Sequence, residues 1–212
     1  MVNEEKYKNL SAEMLAKNVE LIAVSKLKSA EDIQRLYDLG HRDFGENYVQ
    51  ELMDKQALLP ADIRWHFIGH LQSNKVKYIA SFIHLIESVD SLSLLKEIDK
   101  QGAKHNRIIK CLLQVHIADE QTKFGFEEGE ALNIRPEEYK FVKICGLMGM
   151  ATFTEDNDRI ISDFKKLSDL FEKIKASLAG TTLSMGMSDD YGIAIGCGSN
   201  MVRIGSILFG KR

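Results

Sequence analysis

A lysine closes the apolar run ELIAVSKL at residues 20–27, directly before a helix-like segment that begins at residue 29. Side chains alternate along a strand, so Ile22, Val24 and Lys26 share one face while Leu21, Ala23 and Ser25 share the other. Two roles are open to Lys26. It can snorkel, with its stem on the core and its ammonium in water. Alternatively, a desolvated lysine of lowered pKa is a nucleophile that forms a Schiff base with a carbonyl. A second set of residues lies in LSMGMSDDYGIAIGCGSNMVRIGSILFG, where Gly186 and Ser188 follow one strand-like run and Arg203, Gly205 and Ser206 lie in or beside the next. A planar fork donor, backbone N–H groups left unobstructed by glycine, and hydroxyls are the groups that bind a phosphate. His66 and His70 are four apart, but that spacing falls on a strand and the turn after it, with no Cys or carboxylate cluster to complete a zinc site. GCGSNM is an incomplete dinucleotide-binding fingerprint in the reverse context, after a helix and before a strand, and is read as a helix cap.

The elements that must position these residues are repetitive in type. Strand-like runs ELIAVSKL, RDFGEN, IRWHFIG, HLIESVD, IIKCLLQVHIA, VKICGLMGMAT, TTLSMGM and MVRIGSILFG alternate with helical segments at 29–39, 48–59, 73–82, 91–104, 127–132, 156–178 and 188–196. Ser29, Ser91 and Asp156 or Asn157 are placed as N-caps, and Gly40 and Gly180 as left-handed residues past helix ends. Strict alternation implies parallel pairing, and eight such units close an α/β (β/α)₈ TIM barrel with an added N-terminal helix over residues 3–17. A doubly wound open sheet is the alternative. In a barrel the C-terminal strand ends build the active site and the loops after strands 7 and 8 cradle phosphate. A lysine that condenses with aldehydes, facing a phosphate cradle across one mouth, is the pair of features that pyridoxal 5′-phosphate requires.

Composition sets the frame around that site. The chain has 212 residues, 44% hydrophobic and 28% charged, which suits one domain over 1–212 with a sizeable core. A net charge of −3 gives no basic footprint for nucleic acid. The N-terminus has no apolar signal region and no segment is apolar for long enough to span a membrane, so a cytoplasmic protein is expected, and it is taken to be a monomer. Cys111, Cys145 and Cys197 are odd in number and far apart, which fits buried reduced thiols.

The stretches AVSK, FGENYVQEL, WHFIGHLQSNK, ESVDS, GLMGMAT, LSMGMSDDY and VRIGSILFG, spread over nearly the whole chain, resemble the pyridoxal phosphate homeostasis protein family, a relative of the alanine racemase N-terminal-domain barrel. The resemblance implies that Lys26 is the aldimine lysine. It further implies that Asn47, His70 and Met148 line the cofactor pocket, that Ser184, Met185 and Ser188 hold the cofactor after strand 7, and that Arg203, Gly205 and Ser206 contact its phosphate and ring. DEQTKFGF departs most from the family pattern, although Lys123 and Gly125 keep it. The implied function is a carrier that buffers pyridoxal phosphate and delivers it to apo-forms of dependent enzymes. An amino-acid racemase of the same fold is the alternative and a Schiff-base aldolase the second. A racemase needs a second acid or base opposite Lys26, and the chain ends at Arg212, directly after strand 8, without residues for a domain to supply one.

Overall fold

A computed structural model describes residues 2–119 and 124–210, and Lys123 lies outside them. Among the described residues eight parallel strands close into a barrel in sequence order: β1 (Glu20–Val24), β2 (Asp43–Glu46), β3 (Arg64–Phe67), β4 (Leu85–Val89), β5 (Ile109–Gln114), β6 (Val142–Met148), β7 (Thr182–Ser184) and β8 (Met201–Ile204). β1 pairs with both β2 and β8, which excludes the open sheet. The helices are α1 (Glu4–Ala16), α2 (Ala30–Asp38), α3 (Val49–Leu58), α4 (Val76–Ile79), α5 (Leu92–Lys104), α6 (Glu128–Leu132), α7 (Asn157–Ile174), α8 (Tyr191–Gly196) and α9 (Ser206–Phe209). None of them is long and apolar enough to cross a membrane.

Local chemistry starts these helices where the residues allow it. The side chains of Ser29, Ser91 and Asp156 accept hydrogen bonds from the first-turn N–H groups of α2, α5 and α7, an interaction worth about 1 kcal/mol each. Gly40 takes the left-handed conformation expected past α2, with φ +96°. Gly180 does not. Glycine is needed there for close approach instead, because a Cβ would sit 2.9 Å from the carbonyl oxygen of Cys145. The final run is also not one strand. β8 stops at Ile204, and Ser206–Phe209 turn into α9, whose Leu208 and Phe209 are buried and whose Leu208 carbonyl accepts from the Asn3 N–H at 2.8 Å. That bond ties α9 to α1, the added helix, which buries Tyr7, Leu10 and Met14.

Alternation along the strands makes two separate interiors. Leu21, Ala23, Ile86, Cys111, Leu113, Leu147 and Val202 belong to the large core between sheet and helices. Their neighbours Ile22, Leu85, Leu112, Met148 and Met201 form a second, smaller cluster, which fills the barrel lumen. Of the three cysteines, all free, only Cys111 is fully buried.

The tightest point of closure lies between β6 and β7, where Gly146 stands opposite Thr182. A Cβ on Gly146 would lie 1.7 Å from the Thr182 carbonyl oxygen, a clash with backbone that no rotamer relieves. Gly146→Ala is therefore expected to destabilise the barrel by about 3 kcal/mol or more. The urea midpoint measures it, and a near-native midpoint would show that β7 can move aside.

Candidate functional site

The parallel barrel brings every C-terminal strand end to one mouth. Lys26 lies in the turn after β1 and is half-buried, Asn47 follows β2, and His70 stands in the turn after β3. β8 runs beside β1 with Ala23 opposite Ile204, and this sets Gly205 against Val24, where a Cβ would be 3.4 Å from the valine Cβ. The Gly205 N–H donates to Ser188 Oγ at 3.3 Å and the Arg203 N–H donates to the Gly186 carbonyl at 3.0 Å, so the loops after β7 and β8 meet. Gly186 has φ +97°, and a Cβ there would lie 2.6 Å from Ala194. Lys26 and the residues read as a phosphate cradle thus share one rim.

Asn47 and His70 continue that rim. Asn47 Oδ1 is a buried acceptor with no hydrogen-bond partner. His70 shares a hydrogen bond of 2.8 Å between Nδ1 and Asp90 Oδ2, and its ring stacks on Phe124 at 3.9 Å. Together with Tyr48, Lys75 and Tyr78 they line a cavity of ≈ 470 Å³ beside the mouth. A second cavity of ≈ 370 Å³, bordered by Met150, Phe153, Met187 and Asp190, opens between the loops after β6 and β7.

Beneath the mouth a chain of charged groups crosses the lumen. Arg203 is buried; its Nη1 donates to Ser184 Oγ at 2.6 Å and its Nη2 to the Gly149 carbonyl at 3.0 Å. Ser184 Oγ donates in turn to Glu87 Oε2 at 2.6 Å. The other Glu87 oxygen faces His66 Nδ1 at 2.9 Å, and His66 Nε2 faces Asp43 Oδ1 at 3.3 Å. Asp43 is also held by Arg64, through Nε at 2.6 Å. Burial opposes the charged form of His66, but hydrogen bonds to Asp43 and Glu87 and the charges of both carboxylates outweigh it and push the pKa up to about 9. Burial likewise opposes the Glu87 carboxylate, yet His66, Arg203 and Ser184 hold its pKa below the usual value. His66 is therefore an imidazolium that donates from both nitrogens. Burial pulls Arg203 below the usual arginine range, and the Glu87 and Asp190 carboxylates oppose that shift.

Ser184, Ser188, Arg203, Gly205 and Ser206 are thus adjacent, as the sequence suggests, but their roles differ. Arg203 is no open fork for an anion, because both Nη atoms are anchored inside the lumen. Met148 belongs to the apolar lumen cluster and is fully buried. Met185 points the other way, into the outer core, with its N–H on the Met201 carbonyl and its own carbonyl accepting from Ser199 Oγ. Sequence reasoning missed Glu87 and left His66 without a role. The available signal was a carboxylate inside LIESV, whose five residues are all buried, but its partners lie on β3, β7 and β8.

A single barrel with a lysine at the end of β1 and a loop junction after β7 and β8 defines a class, and a sequence model described as "Alanine racemase, N-terminal domain" matches residues 4–212. The chain is 39% identical over 204 residues to the pyridoxal phosphate homeostasis protein of Pasteurella multocida, covering 92% of this chain and 87% of that one. The Helicobacter pylori protein of the same name is 42% identical over 90% of this chain and 87% of its own. Solved structures of PipY from Synechococcus elongatus, 34% identical, superpose with TM-score 0.90 without PLP (97% and 99% of the two chains) and 0.83 with PLP bound (94% and 99%). The chain belongs to the pyridoxal phosphate homeostasis protein family, within the alanine racemase N-terminal-domain barrels.

The lumen network makes stability pH-dependent. A folded His66 pKa of about 9 lies above the unfolded value near 6.5, so its contribution is complete below about pH 6.5 and is lost as pH rises through about 9. Urea unfolding from pH 6 to 10 should show this decline in the wild type and a flatter profile in His66→Gln. Parallel profiles for the two proteins would place the titration elsewhere.

Proposed function

We propose that residues 1–212 act as one domain that binds pyridoxal 5′-phosphate on Lys26, buffers it in the cytoplasm as a monomer, and delivers it to apo-forms of dependent enzymes. The observation that carries this reading is the meeting of Lys26 with the Ser188–Gly205 junction at one barrel mouth. The family relationship and the PLP-bound PipY structure support it.

Two features of the mouth fit the cofactor. Asn47 Oδ1 is a buried acceptor that still lacks a donor, and glycine at 205 leaves to a ligand the space beside Val24 that a side chain would fill. Ser188, Gly205 and Ser206 would hold the phosphate, while Asn47, His70 and Ser184 would flank the ring, with Met148 packed behind in the lumen and Met185, turned to the outer core, supporting the loop after β7 through its backbone. When bound, the cofactor supplies an aldehyde that condenses reversibly with the Lys26 amine, with loss of one water, and an electron-withdrawing ring. Were the pyridine nitrogen to lie beside Arg203, a guanidinium that never gives up its proton at physiological pH would leave that nitrogen unprotonated. Such a ring is a weak electron sink, which favours storage over amino-acid chemistry. Tyr48 is 54% exposed, so it is not shielded from water in the way a fixed acid in a closed racemase site would be.

The test compares delivery with turnover. Wild-type protein loaded with pyridoxal phosphate should reactivate an apo-transaminase, in the presence of a trap for free cofactor, faster than it racemises or removes the α-proton of L- or D-amino acids. Lys26→Ala should lose the visible absorbance of the loaded protein. Amino-acid turnover near 1 s⁻¹ or faster would promote the racemase instead.

Gly205→Ala separates the cradle from the fold. Its Cβ meets the protein only at ordinary contact distance, so the urea midpoint should stay near wild type. Affinity for pyridoxal phosphate should fall about tenfold or more, a change of about 1.4 kcal/mol or more, while unphosphorylated pyridoxal is little affected. Equal losses for both ligands would move the phosphate site away from Gly205.

A further inference from the structure

We propose that Glu51 and Lys55, on the outward side of the barrel, are positioning residues that clamp the backbone on both sides of Lys26 and set its amine for carbonyl capture. This rests on Lys26 being the attachment lysine.

The residues before and after Lys26 are each gripped by α3. Lys55 Nζ donates to the Ser25 carbonyl at 2.7 Å. The Leu27 N–H donates to Glu51 Oε1 at 2.5 Å. The two clamping side chains are one helical turn apart on the same face of α3 and are joined to each other at 2.7 Å. Lys55 also donates to Glu46 Oε1 at 2.7 Å, so all three hydrogens of its ammonium have acceptors. Glu46, fully buried at the end of β2, accepts a further hydrogen bond from Ser25 Oγ at 2.6 Å.

What this arrangement achieves is visible in Leu27. Its φ is +60°, a left-handed conformation that a side chain with a Cβ adopts only at a cost. Packing of the leucine does not explain it, since Leu27 is 60% exposed. Leu27 is the third residue of a turn closed by the Lys28 N–H on the Ser25 carbonyl at 3.0 Å, and Glu51 and Lys55 add to that turn by holding the Leu27 N–H and the same Ser25 carbonyl. A buried ion cluster is a weak device for stability, and an apolar replacement of the same volume would often serve as well. A nucleophile, by contrast, loses rate when its placement shifts by a fraction of an ångström. The location of these charges, at the two peptide groups around Lys26, fits the second purpose.

The experiment measures the rate and position of covalent capture. Wild type, Glu51→Ala, Glu51→Gln, Lys55→Met and Lys26→Ala are mixed with pyridoxal phosphate, and separately with pyridoxal so that phosphate contacts do not contribute. The C=N bond is then reduced with borohydride and the modified lysine located by peptide mapping. Wild type should be labelled at Lys26. Glu51→Ala and Lys55→Met should react roughly tenfold more slowly or worse with both reagents, with label spreading to Lys28. Glu51→Gln, whose amide oxygen still accepts from Leu27, should recover most of the rate and selectivity. Should Lys55→Met fail to fold, Glu51→Ala at the partly exposed end of the clamp decides. Wild-type rate and Lys26 selectivity in the folded clamp variants, with Lys26→Ala unlabelled, would overturn the clamp alone. Full labelling of Lys26→Ala would overturn the attachment reading and the clamp with it.

Discussion

A carboxylate with no exposed surface has to be given partners, and Glu87 obtains them from three other strands. It takes the His66 imidazolium on one oxygen and the Ser184 hydroxyl on the other, with the Arg203 guanidinium 3.9 Å away. Removing His66 or Arg203 would leave charge uncompensated in the lumen, at a cost of several kcal/mol, and removing the Ser184 hydroxyl would leave a Glu87 oxygen without its hydrogen bond. The demand for mutual satisfaction therefore fixes where β3, β4, β7 and β8 stand relative to one another, and fixes Arg203 directly under the mouth.

The lumen is consequently divided. An apolar layer of Ile22, Leu85, Leu112, Met148 and Met201 supplies volume and hydrophobic free energy, while the Glu87 chain supplies direction. Arg203 links this interior to the rim, since its backbone N–H binds Gly186 and its side chain binds Ser184 and the Gly149 carbonyl. Lys26 is controlled from the opposite side of the sheet, through α3. The same mouth is thus positioned by two networks, one inside the barrel and one outside, and each grips backbone or rigid strand ends rather than mobile side chains.

Much of the architecture was legible from local patterns. Eight apolar runs separated by helical periods gave the strand count and parallel pairing, and Ser29, Ser91 and Asp156 marked helix starts that the structure places at the same residues. Lys26 stood out because a cation ends an apolar run, and the Gly- and Ser-rich residues around positions 186–206 stood out by composition. Local reasoning failed where the cause was distant. Gly180 is glycine because Cys145 crowds it, not because it caps a helix, and Ser206–Phe209 coil because α1 and the core receive them.

Residue type and period, properties of neighbours within a few positions, therefore determined the elements, their order and the presence of a lysine at a strand end. Only the tertiary structure decided that Glu87 and His66 are partners, that Arg203 is anchored inward instead of open as a fork, that Met185 faces the outer core, and that Glu51 and Lys55 hold the Lys26 turn. The reason is physical. The stability of a buried charge depends on which opposite charge closure brings within hydrogen-bonding distance, and Glu87 lies 97 residues from Ser184 along the chain, a separation across which a local sequence pattern carries no information.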